Sequence, residues 1–216
     1  MTMFERVKRQ NDDKDKLINE MIDLEWLMFD KVQNLNGRAS CQDDAWTFYV
    51  MRYSQFRAWS MSVLSSYRQD LQEAVVQGRN LLTEKYAYMM AYTAPDIYES
   101  DIKPRLPMIS HKKELLVDGI VEWMIADDGR FAQKYPNLAA KSRPLTDSSF
   151  GDVSVYHYAK GELKTYSLRT LMMYETYLNG LEETVEGGLA VQIYESMISF
   201  YGYSTLEQAN ARMASA

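Results

Sequence analysis

The chain has 216 residues and a net charge of −6, with 46% apolar and 25% charged side chains. That length buries a full hydrophobic core without disulfides or metal, and the acidic balance argues against a nucleic-acid backbone as partner, because phosphate binding needs a basic face. Only ten glycines and five prolines are present, against sixteen tyrosines and fourteen methionines; so little turn material favours helices over many short strands, with the core filled by thioethers and amphipathic rings.

Residues 1–13 interleave Arg6, Lys8 and Arg9 with Glu5, Asp12 and Asp13 and read as a frayed, solvated tail. The opening residues carry no apolar segment of signal-peptide type, and no apolar run reaches the length of a membrane helix. The single cysteine, Cys41, suits a reducing compartment. The expectation is a cytoplasmic protein with no membrane or nucleic-acid partner.

A first helix is expected from Asp13 or Asp15 to about Gln33, with Ile18, Met21, Ile22, Met28, Phe29 and Val32 on one stripe. Glu25 falls inside that stripe, where a carboxylate must find a partner or shift its pKa. A polar break follows, Gly37-Arg38-Ala39-Ser40-Cys41-Gln42-Asp43-Asp44, in which Asp43 or Asp44 suits the N-cap of the next helix. That helix extends as far as Gly78, with a bend or break at the serines 60, 62, 65 and 66. Asn80 caps a helix from Leu81 to Tyr92; Pro104 and Pro107 interrupt regular helix and mark a linker. Ser110 caps the next helix, with an interruption expected at Asp127-Asp128-Gly129. Val153 to Tyr158 alternates weakly, as a strand would. Helices are expected over Tyr166–Glu186 and Leu189–Tyr201, then Gly202 as a C-cap and a short terminal helix.

The fold class is therefore all-α, a multi-helix bundle. Its halves echo one another. Glu25-Trp26 recurs as Glu122-Trp123, Arg38 as Arg143, and Ser60, Leu64, Tyr67 and Leu71 match Ser167, Leu171, Tyr174 and Leu178 at a constant offset. Residues 14–216 form either a single helical domain or two half-domains, 14–94 and 109–216, related by a pseudo-two-fold that would set Glu122 opposite Glu25.

The segments Glu25-Trp26, Gly37 to Asp44, Met51 to Phe56 and Gly78 to Tyr86, with the late Tyr201-Gly202-Tyr203-Ser204, resemble an uncharacterised bacterial all-helical family, a domain of unknown function, over about residues 15–208. Members accompany nucleotidyltransferase-like domains, so the resemblance implies a cytosolic helical protein and an accessory role beside such a partner. It implies no activity.

The catalytic inventory is thin. His111 reads as a surface residue and His157 as a packing residue, neither in a metal-ligand spacing. No glycine-rich phosphate loop is present, and no cofactor or metal is indicated. The candidate pocket residues are Glu25, Arg38, Cys41, Asp43, Asp44, Arg52 and Glu122. Cys41 lies ahead of a helix N-terminus, which favours a thiolate, beside two aspartates, which disfavour it. The carboxylates could form an acid cluster for proton transfer or for a hard metal ion, or Asp43 or Asp44 could cap while Glu25 pairs with Arg38 or Arg52. Three functions compete: a module binding a small molecule or a protein partner (a second copy included), with a polar site at residues 37–44; a small-molecule enzyme using that loop; and an accessory subunit of a nucleotidyltransferase-like partner.

Overall fold

A computed structural model of the chain describes residues 12–33, 37–146, 153–184 and 188–214. The expected frayed tail, apart from Asp12 and Asp13, lies outside them. Eleven α-helices occur among the described residues and no strand.

Helix α1 spans Asp13–Phe29, opened by the Asp12 carboxylate accepting from the Asp15 backbone N–H. It buries Ile18, Met21, Ile22, Met28 and Phe29, and Glu25 among them, fully enclosed. Helices α2 (Ala45–Arg57) and α3 (Met61–Val76) divide the stretch that ends at Gly78; the break comes at Ser60, the first of the expected serines, whose hydroxyl caps α3 by accepting from the N–H of Val63. Gly78 takes φ +68°, the left-handed turn that closes α3. Asn80 then caps α4 (Leu81–Thr93) and also donates from its side chain to the Met28 carbonyl, tying α4 to the end of α1.

The proline-bearing segment is irregular: a short α5 (Pro95–Ile97) runs into a π-turn over Tyr98–Ile102 and a 3-10 turn over Lys103–Arg105. Helix α6 (His111–Lys134), capped by Ser110, continues through Asp127-Asp128-Gly129 without the expected interruption. Asp127 is held by Arg130 one turn on and by the Ala190 N–H of α10, contacts that compensate the weak local helix propensity of this stretch. A short α7 covers Pro136–Ala139.

The strand-like stretch is helical. Ser154 caps α8 (Val155–Leu163), and the alternation of Tyr156, His157 and Tyr158 reflects packing on two sides of a helix, with His157 stacked on Tyr92 at 3.8 Å. Helices α9 (Leu168–Thr184), α10 (Leu189–Phe200) and α11 (Leu206–Met213) complete the chain. Gly202 has φ +82° and turns the chain out of α10.

Helix α1 packs on α2, α3 and α4; helix α6 packs on α8, α9 and α10. Between these groups α3 meets α9, α4 meets α8 and α10 meets α2. Exchanging the groups maps this contact pattern onto itself. Ser60 and Ser167 occupy equivalent caps, and Leu64, Leu71, Leu171 and Leu178 are all fully enclosed or nearly so. The Glu-Trp echo is in the wrong register. Val117, Ile120 and Val121 face the core as Ile18, Met21 and Ile22 do, which sets Met124 against Glu25 and leaves Glu122 on the exposed face.

Candidate functional site

The polar loop is built chiefly as an end-piece for α1. Gln42 is buried; its side-chain amide donates to the Phe29 and Val32 carbonyls, two acceptors at the end of the helix, and its oxygen accepts from the Ala39 N–H. Arg38 is exposed and bridges Asp30 (2.7 Å) and Asp43 (2.8 Å). Asp44 caps α2 through the Thr47 N–H. Of the two capping alternatives Asp44 is the one used, and Asp43 is held by Arg38.

Glu25 reaches a different set of residues. Its carboxylate accepts both Arg52 Nε (2.6 Å) and Nη2 (2.5 Å), a bidentate pair from α1 to α2, and the Tyr67 hydroxyl of α3 at 2.7 Å. The third nitrogen of Arg52, Nη1, donates to Gln55 at 2.7 Å and to Glu162 of α8 at 3.0 Å. Glu162 also accepts Lys85 of α4 at 2.5 Å, Tyr166 at 2.7 Å and Gln55 at 3.0 Å. Glu25, Arg52, Lys85 and Glu162 thus form one alternating chain of two anions and two cations, all buried.

The electrostatics follow from this enclosure. Burial alone would raise the pKa of Glu162; the Arg52 and Lys85 cations outweigh it and hold the carboxyl well below the usual range. Burial would likewise lower the pKa of Arg52, and Glu162 and Glu25 reverse it, so the guanidinium stays charged. Burial, then the adjacent carboxylate, pushes Tyr67 and Tyr166 up and keeps both phenols neutral donors. Tyr158 behaves differently. Burial raises it, but the Lys85 ammonium, 3.6 Å from its ring centre, with a hydrogen bond from Tyr86, brings it below the ordinary tyrosine value.

The charged chain is not sealed on every side. A cavity of about 1780 Å³ runs between α2, α4, α6, α8 and α10, larger than the ~300–1,000 Å³ of common ligand sites. Arg52, Gln55, Lys85, Tyr158 and Glu162 form part of its lining; Phe48, Met51, Met89, Tyr86 and Met197 give apolar wall, and exposed Cys41, Lys141 and Arg143 stand at its rim.

This fold pairs buried Glu25 with Arg52, and Arg52, Cys41 and Asp44 line the same cleft. Arg38 and Asp43 are tied up in the exposed loop, and Glu122 is exposed on the outer face of α6, away from Glu25. Lys85, Glu162, Gln55, Tyr67, Tyr158 and Tyr166 were not among the expected site residues. The signal for Lys85 was present: it lies one turn from Leu81, Leu82, Tyr88 and Met89, a charge inside an apolar stripe as Glu25 is. No helix is expected between the strand-like stretch, Val153 to Tyr158, and Tyr166, so helical spacing does not point to Glu162.

The family model that matches the sequence spans residues 15–211 and describes a protein of unknown function, DUF4125. The chain belongs to this family. The pieces that carried the resemblance, from Glu25 to Ser204, all fall inside the matched span, which runs from α1 into α11. Comparison with curated proteins and with solved structures returned no match. No helix among the described residues is long and apolar enough to cross a membrane.

Proposed function

We propose that this DUF4125 protein is a small-molecule-binding module of the cytoplasm, and that its ligand enters the cleft between α2, α4, α6, α8 and α10. The observation that carries this reading is that Arg52, Glu162 and Lys85 of the charged chain line a cavity with apolar walls. A convergent set of fixed polar groups inside a mostly apolar concavity is the usual form of a ligand site. Gln55, Lys85 and Tyr158 line the cleft and are the polar groups a ligand would meet; Glu25 does not line it, being enclosed by Arg52 and Tyr67.

Cys41 makes the reading testable, since it is the only cysteine in the chain and stands at the cleft rim. Metabolites that occupy the cleft should slow modification of Cys41 by a thiol reagent. They should also raise the melting temperature by several degrees at saturating concentration, because a ligand at about 100 times its Kd adds about 2.7 kcal/mol. Gln55→Ala should weaken both effects. A broad metabolite panel that neither protects Cys41 nor shifts the melting temperature would remove the proposal.

A further inference from the structure

Helix α6 carries a carboxyl that the fold does not use. Asp128 lies on the stripe of Val117, Val121, Met124 and Phe131, where each turn brings an apolar side chain to the core, and it lines the cleft. Its neighbour Asp127 is fully engaged: it accepts the Ala190 N–H at 2.7 Å, capping α10, and Arg130 at 3.0 Å. Asp128 has no hydrogen bond or ion pair among the described residues. Tyr174 of α9 lines the same cleft and is 1% exposed; the Trp59 indole N–H approaches its oxygen, and its O–H has no acceptor among the described residues. Tyr194 of α10, stacked on Phe131 at 4.1 Å, adds aromatic faces.

A half-buried carboxyl with no partner, and a buried phenol met only by the Trp59 indole, open on one cavity and carry a desolvation cost that the chain does not fully recover. A carboxylate beside aromatic faces is the arrangement that recognises an organic cation. We propose that Asp128 and Tyr174 form the recognition point for an ammonium group on the ligand of the cleft, the carboxylate balancing its charge and the phenol oxygen accepting one N–H. This rests on the cleft being the ligand site and adds the chemical class of what enters it: an amine with an apolar body.

The groups around Asp128 fix the pH dependence. Burial, then Asp127, pushes its pKa up to about 7. Helix α9 presents Tyr174 and α10 presents Tyr194, both phenols held neutral by burial. Helix α7 has no ionisable side chain, and Glu162 of α8 is occupied by Arg52 and Lys85. An arriving ammonium must therefore ionise Asp128, so binding releases a proton and tightens as pH rises through 7.

The full chain, titrated calorimetrically with 2-phenylethylamine and with 2-phenylethanol as its neutral analogue, tests this. The amine should bind at least about tenfold more tightly than the alcohol, and its affinity should rise roughly tenfold between pH 6 and 8, as ionisation of one carboxyl near 7 requires. The isosteric Asp128→Asn should abolish both the preference and the pH dependence; Tyr174→Phe, which keeps the packing, should reduce the preference. Equal affinities for amine and alcohol, or an Asp128→Asn chain that still prefers the amine, overturn the proposal. Should neither probe bind while another compound protects Cys41, the ammonium site is overturned and the cleft reading stands; protection by nothing removes both.

Discussion

At the scale of single residues, the decisive group is Glu162. It accepts from Lys85, Arg52, Gln55 and Tyr166, and no water is needed to satisfy it. A buried ion pair of this kind adds little net stability compared with a well-packed apolar substitute, but breaking it by removing one partner leaves an uncompensated buried charge. Glu162→Gln should therefore cost about 3–5 kcal/mol, because Lys85 then stands without its anion. Lys85→Met in the same chain should return a large part of that loss. Urea denaturation of the two single variants and the double variant forms the cycle. Strictly additive losses would show that Glu162 and Lys85 do not act on one another. Glu25 was readable as a buried carboxylate because helical spacing placed it on the core face of α1. Its partner was one of two readings, Arg38 or Arg52, and the choice depended on how the 37–44 loop folds. Gln42 plugging the end of α1 holds that loop at the surface with Arg38 in it, and Arg52, seven residues into α2, takes the inner position.

At the scale of helices, the site depends on how closely α4 approaches α8. Gly161 is the reason the approach is so close: a Cβ there would lie 2.7 Å from the Met89 side chain and 3.0 Å from the Lys85 carbonyl. The residue after it is Glu162, so the same close contact brings Lys85 and Glu162 together. Gly161→Ala should push α8 outward and destabilise the chain by about 1–3 kcal/mol, the usual cost of overpacking. It should also weaken the Lys85–Glu162 coupling measured in the cycle above; an unchanged coupling energy would mean that this contact does not set the geometry. Boundaries at Ser60, Gly78, Asn80, Ser110 and Gly202 were legible because each rests on local capping or turn chemistry. The two elements that differ from the expectation depend on distant groups. The continuity of α6 through Asp127-Asp128-Gly129 comes with a contact from Asp127 to α10, and the helical state of α8 goes with its burial against α4 and α6. Neither partner is visible from the local sequence.

At the scale of the molecule, we read the chain as two half-domains, 14–94 and 109–216, descended from one helical unit and locked together by charge. Glu25, Arg52 and Lys85 belong to the first and Glu162 to the second, so the halves share one ion chain and should unfold in one transition. The pH dependence of that transition combines two carboxyls with opposite shifts. Glu162 titrates lower in the folded chain than in the unfolded one; its contribution is present above the ordinary carboxylate pKa and is lost as pH falls below it. Asp128 titrates higher, near 7, so the folded chain binds the extra proton between about pH 4 and 7 and stability declines as pH rises across that window. The chain should be most stable at mildly acidic pH. Asn at position 128 resembles the protonated acid and does not titrate. Asp128→Asn should match the natural chain near pH 5 and exceed it at pH 8 by on the order of 2–3 kcal/mol. Chemical denaturation followed at both pH values by far-UV circular dichroism and tryptophan fluorescence measures this directly. A stability difference between the two proteins that is the same at pH 5 and pH 8 would show that Asp128 keeps an ordinary carboxylate pKa in the fold.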